Sequence, residues 1–134
     1  MRVVLDTNVV VAALVAEGLC REVLHRALRL RLLASSRPLM DELEAILARK
    51  FSITPAAAAF LKAFAQHVPL VDPEPLSKPV CRDADDDLVL ATAISAKATT
   101  IVTGDDDLLV LRRYLGVEIC TPRRFLERLD AQAQ

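Results

Sequence analysis

The sequence predicts an α/β fold in which a parallel sheet of about five strands is covered by helices on both faces. Short runs of β-branched and aliphatic residues alternate with longer segments of helical period along the 134 residues. That alternation is typical of parallel sheets. The chain is 53% hydrophobic and 26% charged, which is a folded composition, and its length suits a single domain over residues 1–134.

The strands and helices are placed in order by hydrophobic period and by capping residues. The predicted strands are residues 2–5, 31–35, 68–71, 99–104 and 117–120. The predicted helices are residues 20–30, 37–50, 55–66, 84–98, 108–115 and a last one from residue 122. Four helices follow a residue that can cap the first turn, namely Ser36, Thr54, Asp83 and Thr121. The apolar run 9–16 is too short to span a bilayer, and no helix or strand is predicted for it.

Charge and composition argue against several functional classes. The net charge of −1 gives no overall basic field for nucleic acid, and only 4% of residues are aromatic. Three widely spaced cysteines suggest neither a disulfide framework nor a zinc site. Because Asp6 and Asn8 interrupt the first apolar run, a signal peptide is not expected. We therefore expect a cytoplasmic location without membrane attachment.

Acidic residues recur where the predicted strands end. Asp6 follows the first strand, Asp105 follows the strand 99–104, and Asp87 lies in the first turns of the preceding helix. In open α/β sheets, ligands bind outside the carboxyl ends of the strands. The sequence therefore predicts that these carboxylates meet at one edge of the sheet.

Helical spacing distinguishes some of the acidic residues but not all of them. Asp87 shares a helix face with small and apolar residues three, four, seven and eleven positions later, whereas the stripe of Asp86 ends on Lys97 and is more peripheral. Asp87 is therefore predicted to point inward. On the helix 37–50, periodicity alone does not choose between Glu42 and Glu44.

Converging carboxylates repel one another unless a cation lies between them. Ligand sets made of oxygen alone suit Mg²⁺ or Mn²⁺, which commonly bind substrate phosphates as well. The chain has no GxxxxGK[ST] motif, and its three glycines cannot form a GxGxxG loop. A haloacid-dehalogenase phosphatase would need an acid where this chain has Asn8. The residues thus favour a metal site that acts on phosphate esters.

Four segments together resemble a PIN domain, in the expected order and over nearly the whole chain. They are VVLDTNVVVAAL, DELEAIL, CRDADDDLVLATAISAKATTIVTGDDDLL and TPRRFLERL. More narrowly, they resemble the VapC-like toxins of bacterial toxin–antitoxin pairs. The resemblance implies a three-layer α/β/α sandwich and Mg²⁺- or Mn²⁺-dependent cleavage of RNA.

The resemblance also implies roles for particular residues. The catalytic, metal-binding acids would be Asp6, Glu42, Asp87 and Asp105. Supporting residues would be Thr7, Asn8, Asp86 and Asp107. Arg37 and Arg82 precede helices near the predicted acidic edge and would contact RNA.

The resemblance further implies a small antitoxin as partner and a homodimer. Two other functions stay open at this point. One is a PIN-like binding module with weak or no catalysis, and the other is a metal-dependent phosphatase of small phosphate esters.

Overall fold

The computed structural model describes residues 1–133 and alternates strands with helices, as predicted. The strands are β1 (Val3–Leu5), β2 (Ser35–Ser36), β3 (Leu70–Val71), β4 (Thr100–Val102), β5 (Arg113–Tyr114) and β6 (Val117–Cys120). The helices are α1 (Thr7–Val15), α2 (Leu19–Arg29), α3 (Arg37–Lys50), α4 (Pro55–His67), α5 (Ala84–Ser95), α6 (Asp106–Leu109) and α7 (Pro122–Gln132). No helix within these described residues is long and apolar enough to cross a membrane.

The central sheet has the strand order β1-β4-β6-β5. Strands β1, β4 and β6 are parallel, and β5 pairs with β6 in the antiparallel direction. Strands β2 and β3 form a second parallel pair, which a parallel bridge between Val3 and Leu33 joins to β1. Each of the five predicted strands overlaps a parallel strand, but the predicted strand 31–35 is displaced to Ser35–Ser36. The expected single five-stranded sheet is instead a four-stranded sheet and a two-stranded pair, and β5 is an additional short strand at one edge.

Side chains of the sheet alternate between two hydrophobic cores, one on each face. Val3 and Leu5 of β1 belong to the core that also contains residues of α1, α2, α3 and α7. Val4 of β1 and Ile101 of β4 belong to the opposite core, together with residues of α5. Because successive strand residues point to opposite faces, this division produces the predicted α/β/α sandwich.

The four predicted helix caps are confirmed. The Ser36 side chain accepts a hydrogen bond from the backbone N–H of Leu39, and the other three caps make equivalent contacts in the first turns of their helices. Ser36 is also fully buried, and its hydroxyl lies 3.0 Å from that of Thr92 on α5. This contact joins α3 to α5, the two helices that carry Glu42 and Asp86.

Helix α1 has no counterpart among the predicted elements. Its run of valines favours a β-strand, so the local sequence pattern does not predict a helix there. The carbonyl of Asp6 accepts hydrogen bonds from the N–H groups of Val9 and Val10, which starts the helix directly after β1. Val9, Val10 and Val11 are buried in the first core, and burial outweighs the small helix penalty of β-branched residues.

Two predicted helices are too long. The predicted helix 108–115 is replaced by the single turn α6 and the strand β5, because Arg112, Leu115 and Gly116 adopt positive φ angles that end a helix. Helix α5 ends at Ser95 rather than at residue 98, and Lys97 has a φ of 55°. The second difference matters for the sequence-based expectation about Asp86, because Lys97 is not part of the helix.

Candidate metal centre

Asp6 and Asp105 lie at the carboxyl ends of neighbouring strands, as predicted. Asp6 is the first residue after β1, and its N–H donates to the carbonyl of Val102 on β4 at 2.9 Å. Asp105 precedes α6 and caps it, accepting a hydrogen bond from the N–H of Asp107 at 2.9 Å. Because β1 and β4 are parallel neighbours, the two carboxylates are brought to the same edge of the sheet.

Thr103 connects these two acidic residues. Its hydroxyl donates to Oδ2 of Asp6 at 2.7 Å and accepts a hydrogen bond from the N–H of Asp105 at 3.0 Å. Thr103 is fully buried, so its contact with Asp6 is shielded from water and its contact with Asp105 is partly shielded. The sequence interpretation did not include this residue, although a hydroxyl side chain two positions before an acid at a strand end was a signal for it.

On α5, the structure brings Asp86 into the candidate site and places Asp87 elsewhere. Asp86 is 6% exposed and lines a pocket together with Asp6 and Asp105. Both carboxylate oxygens of Asp87 instead accept backbone hydrogen bonds, from the N–H of Val80 at 3.1 Å and of Cys81 at 2.8 Å. The structure therefore brings Asp86, and not Asp87, to the pocket with Asp6 and Asp105.

The expectation that Asp86 is peripheral depends on where α5 ends. The stripe of Asp86 had been considered peripheral because it reaches Lys97, but Lys97 lies beyond the helix and no longer follows its period. The helical members of that stripe, Val89, Leu90 and Ala93, are all buried in the second core. The stripe of Asp86 therefore faces the protein interior, and Asp86 lies at its open end.

Glu42 of α3 completes the acidic pocket, which has a volume of about 210 Å³. Glu44, the alternative that periodicity left open, is exposed and is not part of the pocket wall. The pocket is lined by Asp6, Asn8, Glu42, Ala45, Ile46, Arg49, Asp83, Asp85, Asp86 and Asp105. Asn8 is thus placed at the pocket as expected, while Asp83, Asp85 and Arg49 were not anticipated there.

The electrostatic environment of Asp86 disfavours its charged form. Burial raises the pKa of Asp86 to about 7, and the negative charge of Asp105 adds to this rise. The Asp86 and Asp105 carboxyl groups are also close enough to share a hydrogen bond, and Asp6 and Asp83 contribute more weakly to the pKa of Asp86. Without a cation the pocket therefore retains a proton near neutral pH, because its carboxylates cannot all ionise.

Burial also raises the pKa of Asp6 and that of Glu42. The hydrogen bond from Thr103 opposes the rise at Asp6, and the Thr7 hydroxyl opposes the rise in pKa at Glu42. Thr7 is buried, and its Oγ1 makes no hydrogen bond of good geometry within residues 1–133. Thr7 therefore lowers the pKa of Glu42 through the proximity of its hydroxyl, without a well-formed hydrogen bond.

The donor set fits a hard divalent cation. One carboxylate oxygen each from Asp86, Asp105 and Asp107 lie within 4.8 Å of one another. Asp86 and Asp105 also line the pocket with Asp6 and Glu42, so the two groups of acids overlap. Ligands that are all carboxylate oxygens match Mg²⁺ or Mn²⁺ rather than zinc. Asp107, expected as a supporting residue, thus lies beside two of the principal acids.

Arg49 lines the pocket and Arg82 contacts one of the acids, whereas Arg37 is not part of the pocket lining. Arg82 contacts Asp107 with its Nη2 atom 2.8 Å from Oδ1, and its side chain is 87% exposed. Arg37 is exposed at the beginning of α3, and Arg49 lines the pocket directly. Arg49 was not proposed from the sequence as an RNA contact, although its position seven residues after Glu42 places both side chains on one face of α3.

A more voluminous and more apolar cavity lies on the other side of α5, away from the four acids. It has a volume of about 540 Å³ and is formed by the proline-rich connector 72–79 together with Pro38, Ala84, Asp87, Leu88 and Ala91. None of Asp6, Glu42, Asp86 or Asp105 lines it. Size therefore does not identify the candidate site, whereas the convergence of carboxylates does.

Thr103→Val is expected to destabilise the protein by about 1–3 kcal/mol, because it removes the side-chain hydrogen bond to the buried Asp6 carboxylate and the acceptor of the Asp105 N–H. Thr100→Val is a matched control on the same strand, since the buried Thr100 hydroxyl has only a 3.4 Å contact with Thr99. Urea unfolding of both variants gives the comparison. Equal free energies of unfolding for the two variants would show that the Thr103 contacts do not stabilise the fold.

Most of the chain is similar to a known protein family and to a solved structure. A model of the PIN-domain family, described as "PIN domain", matches residues 2–107. No curated protein matches the chain. A chain of the crystal structure of VapBC2 from Rickettsia felis, bound to a DNA fragment from their promoter, is similar with a TM-score of 0.63. The match covers 90% of this chain and 98% of that one at 18% identity, so it establishes likeness of fold alone.

Proposed function

Because the chain belongs to the PIN-domain family, we propose that it is a Mg²⁺- or Mn²⁺-dependent endoribonuclease formed by a single domain, residues 1–134. The observation that carries this proposal is the convergence of Asp6, Glu42, Asp86 and Asp105 on one pocket from separate elements of the fold. Such a convergence costs free energy unless a cation neutralises it. The pocket is therefore arranged for binding a cation rather than for stabilising the fold.

Asp6, Glu42, Asp86 and Asp105 would hold the cation, with Asp107 as an additional acid beside Asp86 and Asp105. When bound, a divalent ion would supply Lewis-acid stabilisation of the negative charge on the phosphodiester that is cleaved. Thr103 orients the Asp6 carboxylate through its 2.7 Å hydrogen bond. A ligand held in this way loses little conformational freedom when the ion binds.

The remaining polar residues would bind the RNA. Arg49 lies in the pocket wall, and Arg37 and Arg82 are exposed near the same ends of α3 and α5. Arginine guanidinium groups contact phosphates in a bidentate manner, so these side chains would position the backbone on either side of the cleaved bond. Asn8 is exposed at the pocket and would add a hydrogen-bonding amide, while Thr7 supports Glu42 from within.

The biological setting proposed here is that of a toxin in a bacterial toxin–antitoxin pair, acting in the cytoplasm. This part rests on the resemblance of the sequence to VapC-like toxins, and a structural neighbour with the name VapBC2 is consistent with it. A small antitoxin would be the partner, and a homodimer the oligomeric state. Helix α4, which buries only Phe64 and exposes several alanines, offers a surface for such contacts.

The direct test is cleavage of labelled RNA by the purified protein with Mg²⁺, Mn²⁺ or EDTA. We expect endonucleolytic products with either cation and none with EDTA. Asp6→Asn is expected to lower the rate at least about 100-fold, because it removes a charged ligand from the pocket. Glu44→Gln is the control, since Glu44 is exposed and outside the pocket.

Three results would contradict the ribonuclease proposal. Equal cleavage by the wild type and Asp6→Asn would attribute the activity to a contaminant. RNA binding without cleavage in the presence of Mn²⁺ would identify a binding module. Hydrolysis of a chromogenic phosphate monoester without cleavage of any RNA would identify a phosphatase.

A further inference from the structure

We propose that Asp87 is a positioning residue, which anchors residues 80–82 so that Arg82 is held against Asp107 at the edge of the acidic cluster. This inference rests on the proposed cation site, because it concerns the positive charge next to that site. It gives a role to an acid that the family resemblance implies as a ligand and that is absent from the pocket lining.

The anchor is a pair of hydrogen bonds between one carboxylate and two consecutive backbone groups. Oδ2 of Asp87 accepts from the N–H of Val80 at 3.1 Å, and Oδ1 accepts from the N–H of Cys81 at 2.8 Å. Hydrogen bonds to an ionised acceptor are about twice as strong as neutral ones. Both carboxylate oxygens are used, so Asp87 fixes the direction of the chain immediately before Arg82.

Arg82 extends from this anchored segment to α6. Its Nη2 atom lies 2.8 Å from Oδ1 of Asp107. An exposed arginine on a free loop loses much of its ion-pair energy to the entropy of ordering its chain. Because Asp87 has already fixed the backbone at residues 80 and 81, less conformational entropy is lost when Arg82 pairs with Asp107.

The pair changes the charge available to a cation. Asp107 has an oxygen within 4.8 Å of ligand oxygens of Asp86 and Asp105, so Arg82 places a positive charge on one member of this cluster of three acids. Arg82 therefore competes with a divalent ion for the negative charge of this cluster. Guanidinium has five N–H donors, so the same side chain retains donors for an RNA phosphate while it contacts Asp107.

The test measures Mn²⁺ dissociation constants from the electron paramagnetic resonance signal of free Mn²⁺. Arg82→Ala in the wild-type background is expected to tighten Mn²⁺ binding about two- to five-fold, the range of an exposed ion pair. In an Asp87→Asn background, the same substitution is expected to change the constant by less than about 1.5-fold. Lys78→Ala is the control for loss of one positive charge, since Lys78 is exposed and makes no ion pair among residues 1–133.

An unchanged constant in Arg82→Ala, an equal shift in Lys78→Ala, or the same shift in both Asp87 backgrounds would overturn the proposal. Circular dichroism establishes that each variant is folded. If Asp87→Asn does not fold, Val80→Pro is used in its place. Proline has no backbone N–H, so this substitution removes one of the two hydrogen bonds to Asp87 and leaves the carboxylate in place.

A second readout does not depend on the cation. Amide hydrogen exchange at Val80 and Cys81 is expected to be at least about ten-fold faster in Asp87→Asn than in the wild type. If the wild type binds no Mn²⁺, the proposed cation site fails. Unchanged exchange at both amides would instead contradict the anchoring by Asp87 itself.

Discussion

Asp86→Asn is expected to reduce cation-dependent RNA cleavage at least about 100-fold and to weaken Mn²⁺ binding at least about ten-fold. Asp86 is nearly buried, faces the pocket, and lies within 4.8 Å of Asp105 and Asp107 through its ligand oxygen. Its removal takes away a charged ligand of the proposed site, which is worth several kcal/mol in metal-assisted phosphoryl chemistry. The two measurements are initial cleavage rates and Mn²⁺ titration of each protein.

The neighbouring substitution Asp87→Asn is expected to give a different result. Asp87 accepts backbone hydrogen bonds on both oxygens and does not line the pocket. Asparagine retains one acceptor oxygen, so Mn²⁺ binding should remain within about five-fold of the wild type while stability falls by about 1–2 kcal/mol. Asp86→Asn and Asp87→Asn are matched variants, because the same chemical change is made at two adjacent positions of one helix.

The reverse outcome would restore the interpretation made from helical spacing. If Asp87→Asn abolished Mn²⁺ binding and Asp86→Asn did not, Asp87 rather than Asp86 would be the ligand. Glu42→Gln and Glu44→Gln form a second such pair on α3. Of those two, only Glu42 lines the pocket, so only Glu42→Gln should weaken binding of the cation.

The protein without bound cation is expected to lose stability as the pH rises from 5 to 8. Burial and neighbouring acids raise the pKa of Asp86 from its ordinary 3.8 to about 7, so the folded state holds a proton that the unfolded state has released. The free energy of unfolding therefore falls with rising pH until the pH exceeds the folded-state pKa. We expect a loss of about 2 kcal/mol between pH 5 and pH 7, because each pH unit in which only the folded state holds the proton lowers the free energy of unfolding by at most about 1.36 kcal/mol.

The size of this effect depends on every charged group that faces Asp86. Asp105, Asp6 and Asp83 raise its pKa, while Asp85, Glu42 and Arg49 line the same pocket. The raised pKa values of Asp6 and Glu42 act in the same direction on stability. Urea unfolding in EDTA at a series of pH values measures the profile.

Asp86→Asn is the matched variant for this experiment, because it removes the titrating group and keeps the side-chain shape. Its profile should be flatter between pH 5 and pH 8, and at pH 8 it should be more stable than the wild type. Subtracting the two profiles removes the contribution of groups that titrate elsewhere. Parallel profiles for the two proteins would show that Asp86 keeps an ordinary pKa and that the carboxylates do not crowd one another.

Much of the fold was predictable because its signals are local. The caps at Ser36, Thr54, Asp83 and Thr121 are defined by a side chain and the next three residues, and all four are observed. Short runs of β-branched residues predict the parallel strands, because such strands are buried on both faces and are therefore apolar throughout. Helix α1 was missed for the same reason, since its valines have the local signature of a strand while their burial is decided by α2, α3 and α7.

The candidate site was predictable only in part. Asp6 and Asp105 follow strands directly, and the rule that parallel strands end at one edge places them together without knowledge of any side chain. The choice between Asp86 and Asp87 depends on a rotation of 100° about a helix axis. Extending the helix beyond Ser95 made Lys97 part of its period, and that boundary error changed which acidic residue was expected to face inward.

The sequence by itself determined the α/β architecture, the edge of the sheet at which the acids gather, and the presence of an all-oxygen donor set. These depend on hydrophobic period, capping and residue type, which are properties of short segments. Only the tertiary structure decided that Asp86 faces the pocket, that Thr103 bridges Asp6 and Asp105, and that Asp87 holds the segment leading to Arg82. Those contacts join residues whose side-chain directions are set by packing between elements, and packing has no local signature in the sequence.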